Sequence, residues 1–399
     1  MEKVLPILIL QLMFGYCATA QTAYITNTNS NTVSVINVVN NKVTATISVG
    51  DSPNAVEVSP DGTKVYVSNL NGRTVSIINT ATNTVAATIT VGNGPSGISV
   101  SHDGNKLYVA NQGDYEVIVL NTHNYAITAK IPVGYAPVGT MISPDGSKVY
   151  VGNFWDNTIS VINTATNTVT TTIPIGVNPQ IMCISSDGKK LYVANSGANT
   201  VEVLNTATNK ISDVIAVGSY PDGVCLSPDG KKLYVSNSNS NTVSVINTTS
   251  NIVLTTIVVG AFPDGVGVSP DGSKLYVANM NSNTVSVINT ATDSVSATIN
   301  VGDGPTAAGN FISTYHSPSI SISVYPNPFF AMSTLQIDRI LKDATLRVYN
   351  TSGQTVKQIE NISGQSIDFY SDNLAAGLYF IRITQDNIVS RTSKLVIMD

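Results

Sequence analysis

The sequence predicts an all-β protein: a seven-bladed β-propeller followed by a small Ig-like β-sandwich. Charged residues make up only 11% of the chain, against about 25% in an average soluble protein. Asn, Thr, Ser, Val and Ile take their place, and these residues favour turns and strands over helix interiors. Most of the chain is also one unit repeated without insertions, and hydrophobicity within the unit alternates with a period of two. These observations exclude an all-helical fold, and the 42% of hydrophobic residues excludes a disordered chain.

The first element, residues 1–20, has the pattern of a signal peptide. An acidic and a basic residue precede an apolar run over residues 4–14, and Ala18-Thr19-Ala20 supplies the small residues that a signal peptidase reads. We expect the mature protein to begin at Gln21. The apolar run is too short to cross a bilayer of about 30 Å, and no later run is longer, so we expect no transmembrane anchor.

The second element is the repeat itself. A tyrosine followed by Val or Ile, a small residue and Asn recurs every 42 residues, at Tyr24, Tyr66, Tyr108, Tyr150, Tyr192, Tyr234 and Tyr276. Each period contains four short alternating runs, which are joined by turns whose Asp, Asn and Gly tolerate positive φ. A four-stranded sheet every 40 to 45 residues is typical of a propeller blade.

The two ends of the repeat region are expected to complete one blade together. The strand over residues 22–27 has no strand before it, and residues 306–313 look like a first strand with no blade after it. We predict that residues 306–313 close the blade of residues 22–49, which gives seven blades over residues 21–313 and removes two exposed sheet edges. The sequence Ala308-Gly309-Asn310-Phe311 interrupts the alternation and predicts a bulge.

The repeats resemble a known family. Tyr66-Val67-Ser68-Asn69, Tyr108-Val109-Ala110-Asn111 and Tyr276-Val277-Ala278-Asn279, each preceded by an Asp-Gly turn, are similar to the YVTN repeats of seven-bladed propellers in surface-layer and periplasmic proteins. The resemblance covers residues 22–313. It implies the fold, but such propellers include binding proteins, structural surface proteins and a few enzymes.

After a polar connector over residues 314–320, the last element is a different domain, residues 321–399. Its short alternating strands, with a turn about every ten residues, predict a small β-sandwich. Its motifs are Tyr325-Pro326-Asn327-Pro328-Phe329, Leu346-Arg347-Val348-Tyr349-Asn350, Gly377-Leu378-Tyr379-Phe380 and Lys394-Leu395-Val396. This order of motifs resembles the C-terminal sorting domain of the type IX secretion system of Bacteroidetes. The resemblance implies contact with that machinery, passage across the outer membrane, and release or attachment at the cell surface.

The repeats differ from one another mainly in the loops of one propeller face. Leu70, Arg73 and Met280 differ there, together with large aromatic residues and one acid at Tyr115, Tyr135, Phe154, Trp155, Asp156, Tyr220 and Phe262. Exposed apolar patches commonly mark binding sites, and Trp and Tyr are frequent hot spots. The aromatic residues and the acid therefore predict a surface for a protein or glycan ligand, centred on Tyr135, Phe154 and Trp155. The alternative is that the rings fold over the loops as local plugs.

Two further pairs occupy matching positions in neighbouring repeats. Asp222 and Asp264 are weak candidates for a cation site near the channel mouth, and otherwise are solvated loop acids. Cys183 and Cys225 are candidates for a disulfide. A disulfide needs Cα atoms within about 4.4–6.8 Å, whereas packed sheets lie about 10 Å apart, so buried thiols are the alternative. Glu57 is the single carboxylate expected on an inner strand, and we expect neither a catalytic residue nor a cofactor.

The function that fits these features best is a secreted or cell-surface binding module without catalysis. A propeller enzyme of the lactonase or lyase type is one alternative, and a purely structural surface component is another. The net charge of −5 is spread thinly and no basic block exists, which excludes duplex nucleic acid as a partner. We expect a monomer.

Overall fold

A computed structural model describes residues 21–313, 322–385, 388–389 and 392–398. The expected signal peptide and the expected connector over residues 314–320 lie outside the described residues. The chain divides into two compact units between residues 315 and 316. Within the described ranges, no helix has the length and hydrophobicity of a membrane span.

The first unit consists of short strands of nearly constant length. In chain order they are β1 (Thr22–Asn27), β2 (Thr32–Asn37), β3 (Lys42–Ser48), β4 (Pro53–Val58), β5 (Lys64–Asn69), β6 (Thr74–Asn79), β7 (Thr84–Thr90), β8 (Pro95–Val100), β9 (Lys106–Asn111), β10 (Glu116–Asn121), β11 (Ile127–Pro132), β12 (Pro137–Ile142), β13 (Lys148–Asn153), β14 (Thr158–Asn163), β15 (Thr168–Pro174), β16 (Pro179–Ile184), β17 (Lys190–Asn195), β18 (Thr200–Asn205), β19 (Lys210–Ala216), β20 (Pro221–Leu226), β21 (Lys232–Asn237), β22 (Thr242–Asn247), β23 (Ile252–Val258), β24 (Pro263–Val268), β25 (Lys274–Asn279), β26 (Thr284–Asn289), β27 (Ser294–Asn300) and β28 (Ile312–Ser313). Two 3-10 turns span Ser238–Ser240 and Met280–Ser282.

Over the described residues, these strands form seven antiparallel four-stranded sheets. Sheet 1 has the order β28-β1-β2-β3, and sheets 2 to 7 are made of four successive strands each, from β4–β7 to β24–β27. The first strands of sheets 2 to 7 contact one another in order, β1 of sheet 1 contacts β4, and the outer strand β3 contacts both β7 and β27. The seven sheets therefore follow one another around a ring that closes between sheet 7 and sheet 1.

Burial within a sheet follows from this stacking. The second strand of sheet 2, β5, is buried on both faces from Val65 to Asn69, because neighbouring sheets cover it on either side. The outer strand β7 instead alternates between exposed and half-buried residues. The turn between β4 and β5 is held by the Asp61 carboxylate, which accepts hydrogen bonds from the Ser59 hydroxyl at 2.6 Å and from the Thr63 N–H at 3.0 Å. Gly62 completes this turn with φ of 70°.

The end of the segment over residues 306–313 contributes strand β28 to sheet 1. Strand β28 pairs with β1 through Thr22 and Ser313, and the Thr306 N–H donates to the Thr26 carbonyl at 2.8 Å. The predicted irregularity is also present. Gly309 has φ of 115°, and the Ala308 carbonyl accepts a hydrogen bond from the N–H of Val56 in sheet 2 at 2.9 Å. The segment thus contacts two sheets, and only its last two residues form a regular strand.

The second unit has one connected six-stranded sheet within the residues that the structure describes. Its strands are β29 (Ile322–Tyr325), β30 (Met332–Tyr349), β31 (Thr355–Tyr370), β32 (Gly377–Gln385), β33 (Ile388–Val389) and β34 (Ser393–Ile397). The sequence predicts a sandwich of short strands, whereas the described residues form one sheet in which β30 and β31 are long. Strand β30 pairs with β29, β31 and β32, and its register with β31 shifts repeatedly between Gln336 and Leu346. These bulges let one long strand bend around a core that includes Leu335, Phe369 and Ile381.

Candidate functional site

Among the cavities in the described part of the first unit, one lies along the ring axis and another lies on a face. The first strands of the sheets surround a cavity of about 810 Å³, which we call the channel. A second cavity of about 660 Å³ lies among the loops that join second to third strands and sheet to sheet. We call it the rim cavity, and its lining includes Arg73, Tyr115, Tyr135, Phe154, Trp155 and Tyr220. The loops around it form the rim face.

A left-handed backbone position explains how the loops of the rim face are built. The residue just before the third strand has φ near 55° in each of the seven sheets of the described unit, and it is Asn31, Asn157, Asn199, Asn241 or Asn283 in five of them. Asparagine tolerates this conformation. Its side chain also locks the next loop: Asn31 accepts the Ser52 N–H at 2.8 Å, and Asn199 accepts the Tyr220 N–H at 2.9 Å.

Arg73 and Tyr115 occupy this position in sheets 2 and 3, where they replace the asparagine. Both have φ of 56°, which is a strained conformation for a bulky residue. Neither side chain can accept the locking hydrogen bond in the way that asparagine does. Strain of this kind costs about 1–3 kcal/mol for each residue and concentrates at functional sites. Both side chains line the rim cavity.

Tyr220 and Phe262 occupy a second left-handed position, in the turns between sheets. Their φ values are 57° and 53°, at the place where two other repeats have Gly94 and Gly304. Tyr220 lines the rim cavity, and Phe262 packs beside it with ring centroids 6.3 Å apart. The Gln180 amide donates to the Tyr220 hydroxyl at 3.4 Å. Burial, followed by the nearby charge of Asp222, raises the pKa of Tyr220.

The remaining aromatic residues form two pairs beside the cavity. The rings of Tyr115 and Tyr135 are 4.5 Å apart, and those of Phe154 and Trp155 meet edge to face at 4.7 Å. The exposed fractions are 60% for Trp155, 47% for Tyr135 and 40% for Tyr115. Rings that plugged the loops would be buried, whereas these three offer much of their surface to solvent.

The Asp156 carboxylate forms a hydrogen bond within the loops of the rim face. It does not line the rim cavity, and its carboxylate accepts the Tyr135 N–H at 2.6 Å. Asp114 and Ser240 make the same bond in other repeats, to the N–H groups of Asn93 and Ser219. The carboxylate therefore holds a loop in place, and its contact with a ligand stays a prediction.

Arg73 is one of the rim-face residues in which the repeats differ, but the predicted ligand surface does not name it. It is exposed and lies on the cavity lining. Two signals in the sequence could have identified it. It is the only arginine in residues 21–313, and it stands at a position where most repeats have Asn.

Asp222 and Asp264 are not solvated loop acids, because they are the second residues of the inner strands β20 and β24. Asp222 is only 9% exposed. Burial raises the pKa of both carboxyl groups, that of Asp264 to about 6, and the charge of Asp264 raises the pKa of Asp222 further. Among the described residues, no group of three or more potential metal ligands exists, so this pair has no third protein ligand for a cation.

The sequence predicts Glu57 as the single carboxylate on an inner strand, but Asp222 and Asp264 also lie on inner strands. Glu57 lies in β4 and lines the channel with the two aspartates. Burial raises its pKa to about 8, although its carboxylate accepts the Asn310 N–H at 2.9 Å, which opposes the shift. A carboxyl group held away from bulk water keeps its proton to higher pH.

The disulfide hypothesis is wrong, because Cys183 and Cys225 are both free thiols. They lie on β16 and β20, the inner strands of neighbouring sheets. Packed sheets lie about 10 Å apart, which is further than a disulfide can span. Burial is the main cause that raises the pKa of both thiols, so they stay protonated and unreactive. The alternative of buried thiols describes them.

A ring of four-stranded sheets places the first unit among the β-propellers. Residues 323–398 match the secretion system C-terminal sorting domain, which marks proteins exported by type IX secretion to the cell surface or beyond. Residues 102–322 match the cytochrome D1 heme domain, and the chain belongs to this family of eight-bladed propellers.

Two solved structures are similar to the chain. Hydrazine synthase of Kuenenia stuttgartiensis is 26% identical over 68% of this chain and 93% of that chain, with a TM-score of 0.63. A functionally unknown protein from Desulfotomaculum acetoxidans is 16% identical over 72% of this chain and 99% of that chain, with a TM-score of 0.64. No curated protein sequence matches the chain.

The channel lining does not fit the haem that the family description names. Haem carries carboxylates, which need cationic partners. The described residues of the lining include no Arg or Lys, but they do include Glu57, Asp222 and Asp264. The imidazole in the lining, that of His102, has its Nε2 within 2.9 Å of the Ser143 carbonyl oxygen, which already uses this nitrogen.

Proposed function

We propose that this protein is an exported, non-catalytic binding module, a propeller of seven blades that recognises a protein or glycan through its rim face. The seven sheets support this blade count, which is one fewer than the eight blades of the family. The type IX sorting domain supplies the route to the cell surface.

The observation that carries the proposal is the placement of large side chains at strained positions around one cavity. Arg73, Tyr115 and Tyr220 all take left-handed φ values and all line the rim cavity. Asn or Gly at these positions would relieve the strain, as other repeats demonstrate. Bulky side chains thus stand at three neighbouring positions where asparagine or glycine would be less strained, and departures of this kind are expected at functional sites.

The test uses the double variant Trp155→Ala with Tyr135→Ala in the exported protein. Both side chains are exposed, so we expect folding to be kept and binding to be lost by ten-fold or more. Binding is measured with a glycan array and by capture of surface proteins. The control is Tyr125→Asn on the opposite face, where Tyr125 also has positive φ, at 59°, and other repeats have Asn.

The alternatives make the opposite prediction. An enzyme of the lactonase or lyase type would use the channel carboxyl groups, and a structural component would use no loop site. Either one predicts that the double variant and the control behave alike in every binding assay. That result would reject the proposal.

We further propose that the mature chain starts at Gln21, that residues 314–320 connect the two domains, and that the protein is a monomer. N-terminal sequencing, limited proteolysis and light scattering of the secreted protein test these three points. Cleavage elsewhere or a larger mass would contradict them.

A further inference from the structure

We propose that the rim cavity binds an anionic oligosaccharide, that is, a sugar chain with carboxylate or sulfate groups. In this proposal Arg73 pairs with the anion while Tyr115, Tyr135 and Trp155 pack against the sugar rings. The inference rests on the proposed binding function and names its ligand class.

The charge of the cavity is the first argument. Arg73 is the only basic residue among the described residues that line it, and no Asp or Glu lines it. Asp114 and Asp156 lie in the surrounding loops, but each carboxylate accepts a backbone N–H, from Asn93 and Tyr135. The lining of the cavity therefore carries one positive charge and no negative one, on a protein whose net charge is −5.

The free state of Arg73 is the second argument. Within the part of the chain that the structure describes, its guanidinium makes neither a salt bridge nor a hydrogen bond. The lysines that begin the second strands differ, because they are used internally: the amino groups of Lys64 and Lys106 donate to the carbonyls of Thr122 and Thr164 at 3.0 Å. A guanidinium presents a planar fork that binds a carboxylate or sulfate with two parallel hydrogen bonds.

The remaining lining favours a saccharide over a peptide. The exposed rings of Tyr115, Tyr135 and Trp155 offer flat apolar surfaces of the kind that pack against the C–H face of a sugar. The lining also includes the amides of Asn93 and Gln112, and neither amide makes a side-chain hydrogen bond to the described residues. Each amide both donates and accepts, which suits a ligand covered in hydroxyl groups.

The experiment titrates the exported protein with three probes: an oligogalacturonate, a chondroitin sulfate oligosaccharide and a neutral galacto-oligosaccharide. Trp155 is the only tryptophan of the chain, so its fluorescence reports directly on this cavity. We expect a saturable change with one or both anionic probes and affinity at least about ten-fold weaker for the neutral probe. The carboxylate and sulfate probes distinguish the two anions. Binding should weaken as salt rises.

The matched variants are Arg73→Asn and Arg73→Lys. Arg73→Asn removes the charge and installs the residue of the other repeats, so it is expected to fold and to lose about ten-fold or more in affinity for the anionic probe only. Arg73→Lys keeps the charge without the fork and should fall between. Equal affinity of wild type and Arg73→Asn would overturn the inference, as would binding of a protein but of none of the three saccharides. Either result leaves the proposed function standing, whereas unchanged binding in the Trp155 and Tyr135 double variant rejects both.

Discussion

Arg73 shows how a single residue in a repeat protein can be weighed against its equivalents. Asn31 and Asn199 take the same left-handed conformation, and their side chains accept an N–H 21 residues further on. The corresponding donor for position 73 is the N–H of Gly94. Comparison with the other repeats therefore identifies the hydrogen bond that the arginine side chain cannot accept.

Arg73→Asn is therefore expected to raise the free energy of unfolding by about 1 kcal/mol, since it relieves left-handed strain and adds a hydrogen bond. Urea unfolding of the two proteins measures the difference. Arg73→Lys keeps the strain and serves as the control, with no gain expected. Lower stability of the asparagine variant would contradict the idea that position 73 is strained.

Glu57 gives a prediction about pH. Its usual pKa is 4.5, and burial raises it to about 8 in the folded protein. Between these two pH values the folded state keeps a proton that the unfolded state has lost, so this residue lowers stability as pH rises. Glu57→Gln should change stability little at pH 4 and should add about 1–3 kcal/mol at pH 9 relative to wild type. Unfolding curves at the two pH values test this, and an equal effect at both would contradict it.

At the scale of elements, the seam between residues 306–313 and its neighbours depends on close backbone approach. A Cβ atom on Gly265 of β24 would lie 2.1 Å from the Ala307 carbonyl oxygen. Gly97, the equivalent residue in sheet 3, would meet the Val138 carbonyl oxygen at 2.2 Å. The two glycines thus have the same steric constraint, but only Gly265 faces the C-terminal segment of the ring.

Gly265→Ala is expected to destabilise the unit by about 1–3 kcal/mol, because the segment must move away from β24. Hydrogen exchange should then rise selectively at the Thr306 and Tyr24 amides, which bond across the seam. Gly97→Ala is the matched control, with a similar loss of stability but no selective opening at the seam. Equal hydrogen-exchange rates at the Thr306 and Tyr24 amides in the two variants would contradict a selective opening of the seam.

The strands of the first unit could be predicted from the sequence because each repeat carries its own turns, and seven copies average out local ambiguity. The environment of Asp222 and Glu57 could not be predicted in this way. Their burial depends on how tightly the inner strands converge, and no single repeat encodes that quantity. The length and the bends of strand β30 could not be predicted either, because the alternation of its residues does not show where a long strand bends and changes partner.

For the whole molecule, the pattern of departures among the repeats located the candidate site better than any motif did. The aromatic residues and Arg73 were all visible as departures in the sequence, and the backbone conformation added that Arg73 stands at a strained position. Phe262 and Asp156 were grouped with the site by position alone, and the structure places both outside the cavity lining.

The pairing of β1 with β28 joins residues almost 300 positions apart in a unit that ends near residue 313. Sheets 2 to 7 can each form from one continuous stretch of about 40 residues, but sheet 1 has to wait for the far end of the repeat region. A contact of such sequence separation is slow to form and costs chain entropy. During synthesis and export, the ring therefore stays open until its final strand has emerged, and the protein reaches its finished shape only after nearly all of its sheets exist.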